Sequence, residues 1–142
     1  MSEPTIDAGA ADGEPPRPRA LVIDDDRAIR SLAGTVLRRG GFIVDDATNG
    51  RDAFALVRTG TFYDVIVLDL MMPDMNGFEF IDELRSLDAR ALDRIVVITA
   101  SVHLARRGMP EDICHVLLKP FDLADFQAAV TKCLADSRSA RS

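Results

Sequence analysis

Positive charge is in short supply in this sequence. Lysine and arginine number 17 against 23 aspartates and glutamates, a formal net charge of −6. A nucleic-acid-binding surface needs clustered cations to neutralise phosphates, and attraction to anionic membranes needs the same, so neither partner is expected. Long apolar runs are also missing. None approaches the roughly 20 residues of a membrane span, and no apolar stretch of the signal-peptide kind follows Met1. Cysteine is scarce: Cys114 and Cys133 stand 19 apart and match no metal or redox motif. They read as two half-buried thiols in a reducing cytoplasm, which is the expected location. No internal repeat is present. What remains is a chain of 142 residues, long enough for one domain with a real core. Its 47% hydrophobic and 28% charged content is that of an ordinary globular protein.

Residues 1–18 contain Pro4, Pro15, Pro16 and Pro18, two glycines and four acids, and cannot support a core; they read as a disordered leader. The polar residues 136–142 read as a flexible tail. The folded domain is expected over 19–135.

Within it, short apolar runs alternate with helical patterns. The runs are Ala20–Ile23, Val65–Leu68, Ile95–Ile98 and Val116–Leu118, with a weaker one from Phe42 to about Ala47. Strands apolar at every position are expected to be buried on both faces, as in a parallel sheet covered by helices. Ile29, Leu32, Ala33, Val36 and Leu37 follow the helical period, and Gly40-Gly41 ends that helix. Ala53, Leu56 and Val57 mark a second helix, ending near Gly60; Phe78, Ile81 and Leu84 mark a third. Residues 102–108 make a poor fourth, cut short by Gly108 and Pro110. Leu123, Phe126, Ala129, Val130 and Leu134 mark a fifth, with Asp122 as its N-cap. Five strands alternating with five helices give a doubly wound α/β domain, whose functional crevice lies at the carboxyl ends of the strands.

Four strand ends carry polar residues to that crevice: Asp24-Asp25-Asp26, Asp69, Thr99 and Lys119. Taken singly each has an ordinary reading: Asp26 as a helix cap, Lys119 as a solvated lysine, Thr99 as a turn hydroxyl. His103 and His115 read as ordinary loop or edge residues, and Met71, Met72 and Met75 as loop packing. Acids, a hydroxyl and a lysine at successive strand ends are not accounted for by such readings. Converging carboxylates repel, so a cation belongs among them. An all-oxygen donor set suits a hard divalent ion, Mg²⁺ first. Lys119 and Thr99 suit an anionic oxygen. Together these describe a phosphoryl site, with Asp69 on the central strand as the carboxylate nucleophile.

At these residues the sequence resembles the receiver domain of bacterial two-component response regulators, of the stand-alone, chemotaxis-regulator-like kind, over about residues 19–135. The resemblance is carried by Leu21-Val22-Ile23-Asp24-Asp25, by Asp69-Leu70-Met71-Met72-Pro73-Asp74-Met75-Asn76-Gly77, by Ile98-Thr99-Ala100 and by Lys119-Pro120-Phe121. It implies a flavodoxin-like strand order 2-1-3-4-5. It also implies that Asp69 accepts a phosphoryl group from a histidine kinase or a histidine phosphotransfer protein. The Mg²⁺ set would be Asp25 directly, Asp24 through water, Asp69, and the backbone carbonyl of Met71. Thr99 and Lys119 would bind the acyl-phosphate oxygens, and the Lys119–Pro120 peptide would be cis. The domain would then be a two-state element biased by one covalent charge.

Two departures stand out. Val116 occupies the position where the family commonly has a Tyr or Phe, and the 20 residues from Thr99 to Lys119 leave a stunted fourth helix. Both alter the expected output surface. The chain ends soon after the fifth helix, so the expectation is signalling by partner binding or relay, with self-phosphorylation and autodephosphorylation but no separate substrate turned over. The rival readings are a pseudo-receiver used as a phosphorylation-independent interaction module, a flavin-binding flavodoxin-like protein and a small phosphatase with an aspartyl nucleophile. The flavin reading calls for a Ser-, Thr- and Gly-rich loop where Asp24-Asp25-Asp26 stands. Met71 and Ser101 flank the approach of attacking water and should tune the phosphorylated lifetime.

Overall fold

The computed structural model describes residues 16–72, 75–106 and 108–141. Most of the segment read as leader therefore lies outside the described residues. Its end does not: the Ile43 N–H donates to the Pro18 carbonyl at 2.8 Å, and Arg17 Nε donates to the Gly41 carbonyl at 3.2 Å.

Five strands, β1 (Arg19–Ile23), β2 (Ile43–Ala47), β3 (Val65–Asp69), β4 (Ile95–Thr99) and β5 (His115–Leu118), form one parallel sheet in the order β2-β1-β3-β4-β5. Among the described residues five helices connect and follow them: α1 (Arg27–Arg39), α2 (Gly50–Arg58), α3 (Gly77–Leu87), α4 (Val102–Arg106) and α5 (Leu123–Arg141). The expected order and the short fourth helix are both present. A 3-10 segment over Ala89–Arg94, not anticipated, leads into β4. The last helix runs on through the residues read as tail.

Because successive side chains of a strand point to opposite faces, each apolar run feeds two cores. Leu21, Ile23, Ile66, Leu68, Ile95 and Val97 pack against Ala53 of α2 and Phe80, Ile81 and Leu84 of α3. Ala20, Val22, Val65, Val67, Val96 and Ile98 pack against Ala33 and Leu37 of α1 and Phe126, Ala129 and Val130 of α5. Because all five strands run parallel with a helix after each, every loop that follows a strand lies at one edge of the sheet.

Three expectations about burial are corrected. β5 is not buried on both faces: as an edge strand it buries only Leu117, while Leu118 is 42% exposed. On the helices the apolar period holds, but the buried stripe is narrower than expected. Leu32 and Leu123 face outward, and Phe80 rather than Phe78 is the buried aromatic of α3. The cysteines are the third correction. They are bonded as a disulfide, with Cys133 fully buried and Cys114 partly so. A separation of 19 residues carries no information about distance in space. Packing α5 against the β4–β5 side brings the two Cα atoms to 6.0 Å, within the bonding range.

Helix ends follow from local chemistry. Asp26 caps α1 as expected, accepting from the Ala28 N–H at 2.8 Å and the Ile29 N–H at 3.4 Å. Asn76 and Glu79 form a reciprocal capping box at the start of α3. The Asn-x-x-Glu spacing before an apolar run is the signal that could have found it. Gly77 is required there: a Cβ at that position would lie 2.6 Å from Leu70 Cα and 2.9 Å from the Asp69 carbonyl. The start of α3 can therefore seat directly against the loop that carries Asp69.

Candidate acidic phosphoacceptor site

Three carboxylates meet at the carboxyl edge. Asp24, Asp25 and Asp69 each offer an oxygen within 4.8 Å of the others. They arrive there because β1 and β3 are hydrogen-bonded neighbours with Ile23 beside Leu68, so the residues that follow share one level. Asp24 is fully buried and Asp69 is 3% exposed, whereas Asp25 is open to solvent. Two buried acids side by side are costly unless compensated.

Lys119 supplies part of that compensation. Its Nζ lies 3.0 Å from Asp24 Oδ2 and 3.4 Å from Asp69 Oδ2. Its own N–H donates to the Thr99 carbonyl at 2.8 Å, which holds the β5 end against β4. The Lys119–Pro120 peptide is cis, as expected. Backbone donors complete the acids' partners: the Asp26 N–H donates to Asp24 Oδ1 at 2.8 Å and the Met71 N–H to Asp69 Oδ1 at 3.1 Å.

The charges remain unbalanced, with three carboxylates around one ammonium. Burial pushes the Asp69 carboxyl up to about 6, and the nearby Asp24 charge adds to this. The Met71 N–H and Lys119 pull in the other direction without restoring the ordinary value. For Lys119, burial works against the charged form, but the hydrogen bond and charge of Asp24, then those of Asp69, outweigh it, and its pKa is raised. Lys119 thus stays an ammonium.

Thr99 is fully buried at the end of β4, one residue beyond the partner of Asp69 in the β3–β4 register. Its Oγ1 accepts from the Ser101 N–H at 3.2 Å. Ser101 in turn caps α4, its Oγ accepting from the Leu104 N–H at 3.1 Å. Met71 places its side chain outward at 53% exposure, while Met72 is buried. Val116 is partly buried against the α2–α3 face. His115 sits on the edge strand as read, but His103 lies on α4 rather than in a loop.

One residue escaped the sequence reading. Arg30, one turn into α1, donates from Nη1 to the Asp24 carbonyl at 2.8 Å and pairs through Nε with Asp46 at 3.5 Å. It ties the acidic loop to the end of β2. Nothing local in the sequence marks it, because its two partners come from different strands.

Fold and site together define a doubly wound α/β protein with an acidic, lysine-closed pocket at the ends of its central strands. The sequence model of the response regulator receiver domain family matches residues 20–131, and the chain belongs to that family. Among known proteins it is similar to the transcriptional regulatory protein CusR of Escherichia coli, at 30% identity over 116 residues. That match covers 82% of this chain and 51% of CusR. The regulatory protein AtoC of Escherichia coli is also 30% identical over 116 residues, which are 25% of its length. The chain thus spans about half, or less, of the length of these curated relatives. Among solved structures, the response regulator TrrA of Thermotoga maritima, in complex with Mg²⁺-BeF, aligns with a TM-score of 0.74 at 30% identity, covering 82% of this chain and 99% of TrrA. The chemotaxis protein CheY4 of Vibrio cholerae aligns with a TM-score of 0.74 at 28% identity, covering 84% and 100%.

Proposed function

We propose that this chain is a phosphoryl-accepting signalling module, with Asp69 as the acceptor. The observation that carries the reading is the buried Asp69 carboxylate on the central strand, with Lys119 at 3.4 Å and two further acids around it. In the reaction an Asp69 oxygen attacks the phosphorus of a phosphohistidine on a histidine kinase or histidine phosphotransfer protein. The P–N bond breaks, and the imidazole leaves with the electron pair and takes a proton. Lys119 stabilises charge on the phosphoryl oxygens, and the Thr99 hydroxyl donates to another of them. Burial lowers the local dielectric, so both interactions count for more than they would in water.

The residues present fit Mg²⁺. The donors are all oxygens, and one lysine leaves two negative charges to be met. Asp24, Asp25, Asp69 and the Met71 carbonyl would hold the ion, which would supply further neutralisation of the phosphoryl oxygens. The same site returns the phosphoryl group to water, so the chain turns over no separate substrate. Phosphorylation turns the Asp69 carboxylate into a dianionic acyl phosphate, about one more negative charge in a pocket already short of cations, and so biases the loops after β3, β4 and β5. An output protein reads that change, or a relay partner takes the group onward. Among the described residues no helix is long and apolar enough to cross a membrane, and the reading places the chain in the cytoplasm with its kinase.

The test is intact mass after incubation with acetyl phosphate, with and without Mg²⁺, beside Asp69→Asn. One added phosphoryl group that needs both Mg²⁺ and Asp69 is the expected result. No addition under any condition would leave the phosphorylation-independent interaction module as the reading.

A further inference from the structure

We propose that Cys114 and Cys133 form a reversible thiol–disulfide site, opened by a dithiol reductant, whose redox state sets how firmly Lys119 is held beside Asp69. The effect on Asp69 rests on the phosphoacceptor reading; the thiol chemistry does not.

The position of the bond carries the inference. Cys114 stands one residue ahead of β5, and its N–H donates to the Ile95 carbonyl at 3.1 Å. Cys133 lies in the third turn of α5, fully buried among Phe126, Ala129 and Val130. The disulfide closes a segment that contains all of β5, the Lys119–Pro120 turn and the first turns of α5. Ahead of the buried turns of α5, this edge of the sheet is thinly packed. β5 buries only Leu117, α4 buries nothing, and Leu118 and Leu123 are exposed. A cross-link acts chiefly by restricting the opened chain, and local opening concentrates where few apolar groups are buried. Lys119, which bridges Asp24 and Asp69, sits inside the tethered segment.

The two sulfurs are not equally accessible. Cys133 is fully buried and Cys114 is partly exposed, so the attack is assigned to Cys114 Sγ. The new S–S bond forms there as the Cys114–Cys133 bond breaks. The electron pair goes to the Cys133 sulfur, which takes a proton. The second thiol of the reductant then displaces Cys114, and two electrons and two protons have passed to the pair. A disulfide of the same class reverses the sequence. The freed Cys133 thiol remains in the core as a small apolar group, so the change is local.

The test uses the full chain equilibrated in reduced or oxidised dithiothreitol, with free thiols alkylated and counted by intact mass. Two alkyl groups are expected only in the reduced state. Amide exchange in residues 114–126 should rise about tenfold or more on reduction, with β1 and β3 unchanged. The lifetime of the acetyl-phosphate-driven modification should change by about threefold or more. The double variant Cys114→Ala/Cys133→Ala should exchange at the reduced rate and ignore dithiothreitol. If that variant does not fold, the two redox states of the natural chain make the comparison alone. Two alkylated thiols in the oxidised reagent, or equal exchange in both states, would overturn the proposal. Altered exchange with an unaltered lifetime would overturn the link to Asp69. If Asp69 takes no phosphoryl group in either state, the phosphoacceptor reading fails, while alkylation and exchange still decide the redox site.

Discussion

The three central strands and the β5 edge do different jobs with different materials. Every residue of β3 and β4 is buried, as are the last four of β1, and the strands deliver Asp24, Asp69 and Thr99 into fixed positions. β5 buries one residue and delivers Lys119. The acids are thus set in the rigid part of the sheet and their cation in the weakly packed part. If the site takes up an added anion as proposed, that division helps, because moving one lysine costs far less than moving two buried carboxylates. The helices repeat the contrast: α3 enters on a capping box and seats Gly77 against the loop after Asp69, while α4 is five residues with none buried.

Substitutions can break this contrast at both ends. Phe80→Ala, in the core under the central strands, should cost about 3–5 kcal/mol in denaturant unfolding. Leu118→Ala, on the edge, should cost less than about 0.5 kcal/mol in the same assay. Equal losses would show that the edge is packed as firmly as the centre.

Next in size is Lys119→Ala, which leaves Asp24 and Asp69 facing each other without an ammonium. A loss on the order of 2 kcal/mol is expected at pH 8. The loss should shrink as pH falls and Asp69 takes up a proton. Phosphoryl uptake should fall by about a hundredfold. A pH-independent loss would mean that Lys119 acts by packing alone.

Asp69→Asn moves stability the other way. The folded-state pKa of Asp69 is about 6, above the ordinary carboxylate value, so the folded chain binds this proton more tightly than the unfolded one. The ionised carboxylate therefore opposes folding fully above pH 6, and the opposition disappears below about pH 4. In chelator, Asp69→Asn should be more stable than the natural chain at pH 8, by on the order of 2 kcal/mol, with no gain near pH 3.5. A variant less stable at pH 8 would contradict the cost assigned to the buried, ionised Asp69 carboxylate.

The smallest effect on the site is Arg30→Gln, which releases the Asp24 carbonyl and Asp46. About 1 kcal/mol is expected, with weaker Mg²⁺ binding by titration calorimetry. Unchanged metal affinity would reduce Arg30 to a link between α1 and β2.

Much of this was legible in the sequence because it is local. A buried parallel strand announces itself by continuous apolar residues, and the polar residue at its end is the next one along the chain. Asp24, Asp25, Asp69, Thr99 and Lys119 could therefore be named, and the doubly wound topology then required them to share an edge. The Asp26 cap was legible for the same reason. Burial at the margins was not. Whether Leu118 faces solvent depends on β5 lying last in the sheet, and whether Phe78 or Phe80 is inside depends on how α3 is turned against the sheet. Arg30 and the Cys114–Cys133 bond join residues from different elements, which no spacing rule reports.

The alternation of strands and helices, the acids at the strand ends and the lysine among them follow from periodicity and from which residue ends each run. The packed fold was needed to show how little the β5 edge buries, how far Asp69 is driven from its ordinary pKa, and that two distant cysteines are bonded. Each of those depends on separations in space, and sequence separation does not fix them until the helices are packed on the sheet.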